Sequence, residues 1–477
     1  ASKILELTQK AGAQQILLTG GTAQNNLMVD SLKSQLNVFV PPQAPYFEAL
    51  GAALWGLEQD LKPIKIAEET LFGPRRSSFS FRPALQEAQH LVEFKSLEQG
   101  RARPGDRLLL GLDVGSTTTK AVLIREEDTA MVASIYLRTS GDPVQASRNC
   151  YRELAKQVPA GIEIIGLGVT GSGRYIAGLH ALTRGVINEI IAHAAAALYF
   201  DGEVDTILEI GGQDAKYTYL VNGVPADYAM NEACSAGTGS FLEEAAWETL
   251  EVETNRIGAI AMTAKHPPNF NDQCAAFISS DIKTAVQEGN PAPDILAGLV
   301  YSICLNYLTR VKGNRPVGQK VFMQGGVCYN QAVPVAMASL LDKKIVVPPE
   351  PGLMGAFGVA LEVRERLERG LLSEEHYDLG ELAGREIEYD EPFVCPGDEG
   401  CDRNCTINML KIRGKKYPFG GACSRYIGVG RRESHAAGTL DLVYGREGLL
   451  FSQEGVKGQG ARGKVGITRS LMVNEMY

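Results

Sequence analysis

The sequence predicts an α/β protein built as two lobes around a cleft, and three observations predict it. An order of three strands, a helix, a strand and helices occurs twice between Arg107 and Arg369. Each half opens with a glycine-rich turn after its first strand, and a segment near residue 20 recurs near residue 325.

The recurring segment comes first along the chain. Ile16-Leu-Leu-Thr-Gly-Gly-Thr22, Asn25, a helical stretch, Val40-Pro-Pro42 and Ala49–Leu54 reappear as Val321–Val327, Asn330, Val347-Pro-Pro349 and Ala356–Leu361. Only the end of the unit is present in the first copy, so residues 1–60 are expected to be the C-terminal part of a first domain and the chain a fragment. Residues 61–106 mix Pro, Arg, Gln and Glu with no sustained apolar period and read as a linker with helical pieces. From Arg107 the runs Leu108–Asp113, Thr119–Arg125 and Met131–Arg138 predict a meander; a helix from Pro143 to Val158, a strand Ile162–Val169 and helices to Phe200 follow. The second half repeats the order with Thr206–Ile210, Lys216–Val221, a third strand around Asp227, helices to Gly313, a strand Lys320–Met323 and a helix ending near Arg369. The complete domain is thus 107–370. A second linker is expected at 371–392, then a Gly-rich, Cys-containing module at 393–477, itself truncated.

Composition limits the function. With 44% hydrophobic and 22% charged residues in 477, the chain is an ordinary soluble protein rather than a disordered one. The longest apolar run, Ile190–Phe200, falls short of the roughly 20 residues a membrane span needs. No basic-then-apolar leader opens the sequence, so a cytoplasmic location is expected. The net charge is −9, yet Cys401–Tyr477 holds 13 Lys and Arg against 6 Asp and Glu. Those charges are scattered among glycines, form no block and carry no aromatic interleaving, which argues against a nucleic-acid partner. Nine cysteines in a chain without an export signal are expected to be reduced thiols available for metal or redox chemistry.

The turns carry the chemistry. Strand Leu108–Leu112 delivers Asp113, and Gly115-Ser116-Thr117-Thr118 with Lys120 offers successive backbone N–H groups and hydroxyls to an anion. A carboxylate at the strand end suits Mg2+ held through water. The second half places Glu209, Gly211, Gly212, Gln213 and Asp214 at the equivalent point, so two cradles face each other and would clamp a polyphosphate such as ATP or ADP. Two other glycine patterns are set aside. Gly166-Leu-Gly-Val-Thr-Gly171 fits a dinucleotide fingerprint with Glu189 downstream, but it lies on the fourth strand of a unit that has already opened with a phosphate turn. Gly458–Lys464 has P-loop spacing but Val465 where a Mg2+-binding hydroxyl belongs. His193 follows Glu189 by one helical turn and reads as structural, like the other five histidines.

These two turns, together with Gly325-Gly326 ahead of a helix, resemble the actin, sugar kinase and heat-shock ATPase superfamily with its ribonuclease H-like, two-lobed actin-type fold. Gly168–Arg174, Glu209–Lys216, Asn231-Glu-Ala-Cys-Ser-Ala-Gly-Thr-Gly-Ser-Phe-Leu242 and Cys274-Ala-Ala-Phe-Ile-Ser-Ser-Asp281 are similar to its 2-hydroxyacyl-CoA dehydratase activator branch, which includes the ATPase subunits of benzoyl-CoA reductase. The segment from Phe393 resembles the Cys-bearing module that follows tandem ATPase domains in large fused activases. The resemblance implies ATP hydrolysis with Mg2+ at Asp113, nucleotide contacts at Gly237, Thr238 and Gly239, and adenosine at Gly325 and Gly326. Glu209 stands where much of the superfamily has Asp, so Gln213 and Asp214 remain alternatives for placing the metal or the attacking water.

Cys234 and Cys274 each precede a helical stretch, where the helix dipole favours a thiolate and an anionic ligand. Two thiolates do not complete a cubane. The resemblance implies a [4Fe-4S] cluster bridging a homodimer, or a pseudo-dimer of tandem ATPase domains, with an acyl-CoA dehydratase or reductase-type iron–sulfur protein as electron acceptor. An upstream donor such as ferredoxin or flavodoxin belongs to the same expectation. Cys395, Cys401, Cys405 and Cys423 have a spacing suited to tetrahedral sulfur ligation, of zinc or a second iron–sulfur centre. A sugar or acid kinase would instead need a substrate-binding carboxylate base, and a heat-shock-like chaperone a peptide-binding β domain.

Overall fold

The computed structural model describes residues 4, 8, 15–59, 77–97, 99–231, 237–272, 275–397, 401, 403–423 and 425–426. It comprises two compact units, 1–76 and 77–477.

In the first unit β1 (Ile16–Leu17) pairs in parallel with β2 (Val38–Phe39), followed by α2 (Phe47–Glu58). Between the strands lies α1 (Asn26–Lys33), whose first turn is capped by the Asn25 side chain accepting from the Met28 amide. The sequence repeat extends to the backbone. Gly20 has φ +88° and donates to the Ala44 carbonyl at 2.6 Å; Gly325 in the second unit has φ +97° and donates to Pro351 at 2.9 Å. Positive φ at both positions requires glycine.

The second unit contains the two lobes. In the first lobe β4 (Arg107–Val114), β5 (Thr118–Arg125) and β6 (Met131–Arg138) form the expected meander, and β7 (Glu163–Thr170) and β8 (Gly185–Val186) join in parallel to give the order β6-β5-β4-β7-β8. β4 reads as a continuous apolar run because both its faces are covered. Leu108, Leu110 and Leu112 pack with Cys150 and Leu154 of α3 (Pro143–Ala155) and Ala177 of α4 (Arg174–Ala181). Leu109 instead packs with Ala192 and Ala196 of α5 (Glu189–Phe200). In the second lobe β9 (Thr206–Ile210), β10 (Ala215–Val221), β11 (Val224–Met230), β12 (Val321–Gln324) and β13 (Ile345–Val347) lie in the order β11-β10-β9-β12-β13, with β3 (Val92–Phe94) at the far edge. One face is covered by α6 (Gly239–Leu250), α7 (Thr254–Ala261), α8 (Ala275–Gln287), α9 (Ala292–Tyr307) and α10 (Ala332–Leu341).

α11 (Met354–Glu368) returns to the first lobe and crosses α5 closely. A Cβ at Gly358 would land on the Ala192 carbonyl oxygen, and one at Gly111 on that of Ala356. Gly358→Ala is therefore expected to cost about 1–3 kcal/mol, seen as a lower urea midpoint at unchanged m-value. The same helix accounts for the misleading fingerprint: Cβ atoms at Gly166 and Gly168 would meet Val363 at 2.8 and 2.7 Å, so these glycines serve strand–helix packing.

Two stretches expected as linkers carry structure. Within 61–106 lies β3, too short for any period to show, together with the fully buried Leu85. Within 371–392, Tyr377 bridges to Ile164 and α12 (Leu379–Gly384) buries Leu382 in the first lobe's core. Beyond it, β14 (Glu388–Val394), β15 (Thr406–Ile412) and β16 (Lys415–Phe419) form an antiparallel sheet whose Leu410 and Ile412 pack on Leu179 of α4.

Candidate functional site

Strand register builds the site twice. Asp113 at the end of β4 lies opposite Lys120 of β5, and Glu209 near the end of β9 lies opposite Lys216 of β10. In the first turn the Gly115 amide donates to the Thr118 carbonyl at 3.0 Å; in the second Gly211 donates to Asp214 at 2.8 Å. A Cβ at either glycine would sit 2.9 Å from that same carbonyl, so neither turn closes with a larger residue. The tips meet: Ser116 Oγ donates to Gln213 Oε1 at 3.4 Å, and a Cβ at Gly212 would lie 3.4 Å from Thr117. Thr117 Oγ1 is buried with no protein partner among the described residues, as a hydroxyl meant for a ligand oxygen would be.

The other expected nucleotide contacts converge here. Gly325 lies against the Ile210 backbone, and a Cβ on Gly326 would strike the Tyr136 hydroxyl. Gly237 has φ +87°, a Cβ there would come to 3.0 Å from the Tyr307 backbone nitrogen, and Thr238 is fully buried. At the start of α6 the amides of Gly239 and Ser240 donate to the Gly211 and Gly212 carbonyls at 2.9 and 2.8 Å, and Ser240 Oγ donates to Gly212 at 2.6 Å. Helix α6 is thus bonded directly to the second turn.

Beneath the turns lies a buried ionic cluster. Lys120 Nζ is 3.1 Å from Asp113 Oδ2; Lys216 Nζ is 3.0 Å from Glu209 Oε1 and 3.6 Å from Glu189 Oε2. His193 Nε2 lies 3.3 Å from Glu209 Oε1, and its Nδ1 is 2.8 Å from Gln324 Nε2. Burial pushes the Asp113 pKa up, but Lys120, His193 and Lys216 outweigh it and hold the carboxyl below its ordinary value. Glu209 behaves alike: burial opposes ionisation, and His193 and Lys216 overcome it. At Glu189 burial wins over Lys216 and the pKa rises. Two ionised carboxylates facing amide-rich, hydroxyl-rich turns would suit a hydrated Mg2+ arriving with a nucleotide's phosphates.

Reasoning from sequence missed Lys216, Glu189, His193 and Gln324. The signal for Lys216 was present, since it follows Glu209 at the spacing by which Lys120 follows Asp113.

Cys234, Cys274 and the Gly458–Lys464 stretch lie outside the described residues, although α6 and α8, which follow the two cysteines, pack together. The Cys395 amide donates to the Cys405 carbonyl at 2.8 Å, while Cys401 and Cys423 are exposed. Among the described residues no three His, Cys, Asp or Glu side chains are arranged to hold a metal. Cys150, Cys304 and Cys328 are buried, and burial raises their thiol pKa values.

The chain is 33% identical over 253 residues to a 2-hydroxyisocaproyl-CoA dehydratase activator of Clostridioides difficile, covering 53% of this chain and 93% of that protein. To the (R)-2-hydroxyglutaryl-CoA dehydratase activating ATPase of Acidaminococcus fermentans it is 30% identical over 258 residues, 53% of this chain and 95% of the relative. Its structure resembles that of the activator of the 2-hydroxyisocaproyl-CoA dehydratase from Clostridium difficile with bound ADPNP, at a TM-score of 0.50 and 30% identity over 55% of this chain and 97% of the other. No described helix is long and apolar enough to cross a membrane. With its paired turns on a two-lobed actin-type fold and residues 110–363 matching that family, the chain belongs to the BadF/BadG/BcrA/BcrD ATPase family.

Proposed function

We propose that this ATPase is an activator that uses ATP hydrolysis to pass low-potential electrons from a [4Fe-4S] cluster to an acyl-CoA dehydratase or reductase. The observation that carries the reading is the bonding of the Gly239 and Ser240 amides to the second phosphate turn. Any shift of that turn as the lobes close on a nucleotide moves the start of α6, and Cys234 lies just ahead of it. The names of the relatives support the partner class.

In this reading Asp113 holds Mg2+ through water. Gly115–Thr118 with Lys120 and Gly211–Gln213 position the phosphates, and Gly237–Gly239 adjoin them. Gly325-Gly326 borders the adenosine, and Glu209 orients the attacking water with Gln213 and Asp214 beside it. Cys234 and Cys274 would hold the cluster, each doubled by a second copy or by a tandem domain. When bound, the cluster supplies one-electron reduction of the partner, and a ferredoxin- or flavodoxin-class donor replaces the electron.

The test is anaerobic reconstitution with iron and sulfide. Wild-type protein is expected to show thiolate-to-iron absorbance and a paramagnetic signal after dithionite. Cys234→Ser and Cys274→Ser each lose both while still binding ATP. A colourless wild type, or serine variants with full iron content, would remove the electron-transfer half of the proposal.

A further inference from the structure

We propose that Tyr136 is a nucleotide-binding residue whose ring forms a wall against the ribose, the part of the nucleotide between the phosphate turns and the base. The inference rests on the reading of Gly325-Gly326 as the border of the adenosine. It adds a side chain of the first lobe to which that reading gives no role.

A row of side chains leads to the ring. Asp113 on β4 lies directly opposite Lys120 on β5, and Lys120 directly opposite Tyr136 on β6, so all three stand on one face of the first lobe's sheet. Neighbouring strands lie about 4.8 Å apart, and each step carries the row farther from the carboxylate assigned to Mg2+. Lys120 Nζ is 5.6 Å from the centroid of the Tyr136 ring, so the ring begins where the ammonium assigned to the phosphates ends. Its other end reaches the second lobe. A Cβ on Gly326 would stand 2.5 Å from the Tyr136 hydroxyl oxygen, and one on Gly352, just ahead of α11, 2.7 Å from Tyr136 Cε2. Glycine at both positions is what admits the ring. A nucleotide with its phosphates at the two turns and its base beside Gly325-Gly326 has its ribose between those points, which Tyr136 spans.

The ring is held without being sealed. Tyr329, at the end of the turn that Gly326 opens, meets it edge to face at 6.2 Å and 80°, and donates its own hydroxyl to Glu350 Oε2 at 2.7 Å. Tyr136 still keeps 38% of its surface exposed. A flat apolar face of that kind packs against the C–H groups of a sugar without a hydrogen bond of its own. The wall is complete only with the lobes together, since Tyr136 comes from one and both glycines from the other.

The experiment titrates the full chain calorimetrically with Mg-ADP, with Mg-IDP, which changes the base and keeps the ribose, and with Mg-pyrophosphate, which lacks the nucleoside. Tyr136→Ala is expected to raise the Kd of Mg-ADP about tenfold and that of Mg-IDP by the same factor, with Mg-pyrophosphate within about twofold. Equal losses for all three ligands would make Tyr136 a strut between the lobes or a support for Lys120, and overturn the proposal. A loss confined to Mg-ADP, which would place the ring on the base, overturns it too, as does an unchanged Kd for Mg-ADP. Should Tyr136→Ala fail to fold, Tyr136→Leu keeps apolar bulk and removes the flat ring, and the same pattern across the three ligands is expected. The wild type separates this proposal from the reading beneath it. Pyrophosphate bound as tightly as ADP by the wild type sinks Gly325-Gly326 as the adenosine border. A preference for ADP over pyrophosphate that is equal in wild type and variant sinks the Tyr136 contact alone.

Discussion

Asp113→Asn is expected to lower kcat for ATP hydrolysis by about 10²–10³-fold while the protein still folds. The substitution keeps size and hydrogen-bonding shape but removes a charge that the fold goes to some length to keep. Asp113 is only 7% exposed, an environment that alone would favour the protonated acid. Its ionisation is preserved by Lys120 at 3.1 Å and by His193 and Lys216 farther off. A carboxylate maintained against its own burial, at the mouth of an amide-lined turn, is suited to a cation arriving with the nucleotide. With asparagine there, Lys120 faces the phosphates unopposed, so ATP affinity is expected to fall less than kcat, and the Mg2+ concentration giving half-maximal rate to rise. Steady-state kinetics across a Mg2+ series checks both. A variant within fivefold of wild type at every Mg2+ concentration would remove Asp113 from the metal site.

How much of this was legible in the sequence depended on the range of the contacts. β4 and β9 showed as apolar runs because each is covered on both faces, and their terminal carboxylates stood out against that background. The glycines of the phosphate turns were legible for the same reason: each turn needs its closing contact within a few residues. The cluster beneath them was not, since Glu209 meets His193 on a preceding helix and Gln324 lies more than a hundred residues on. His193 follows Glu189 at helical spacing and looked like its partner; in the fold Glu189 turns to Lys216 and His193 to Glu209. β3 escaped because three edge residues carry no periodicity. Gly166 and Gly168 misled because a close helix and a bound pyrophosphate both exclude a Cβ, and spacing cannot tell one from the other.

Lys216→Met is the substitution expected to damage the fold most. Lys216 is 4% exposed, and its ammonium is the cation that two carboxylates share, Glu209 at 3.0 Å and the partly buried Glu189 at 3.6 Å. Burial alone would push the lysine pKa down; the two glutamates push it up, so the group stays charged at any pH the protein meets. Methionine fills much of the volume but leaves both carboxylates without that cation, and removing one partner of a buried ion pair costs about 3–5 kcal/mol. The pH dependence identifies the cause. In the wild type Glu209 has a folded pKa below its unfolded value, so its contribution is fully present above the unfolded value and is lost as pH falls through the folded one. In the variant, burial acts with less opposition and the folded pKa rises, so lowering the pH towards 5 begins to protonate the carboxylates and restores part of the loss. The stability gap between the two proteins is therefore expected to narrow from pH 7 to pH 5, read by urea denaturation at each pH. Glu209→Gln added to Lys216→Met should narrow it at pH 7 as well, since the uncompensated charge is then gone. A gap that is the same at both pH values, and unaffected by the second substitution, would mean that Lys216 acts through its packing and not as the counter-charge of the site.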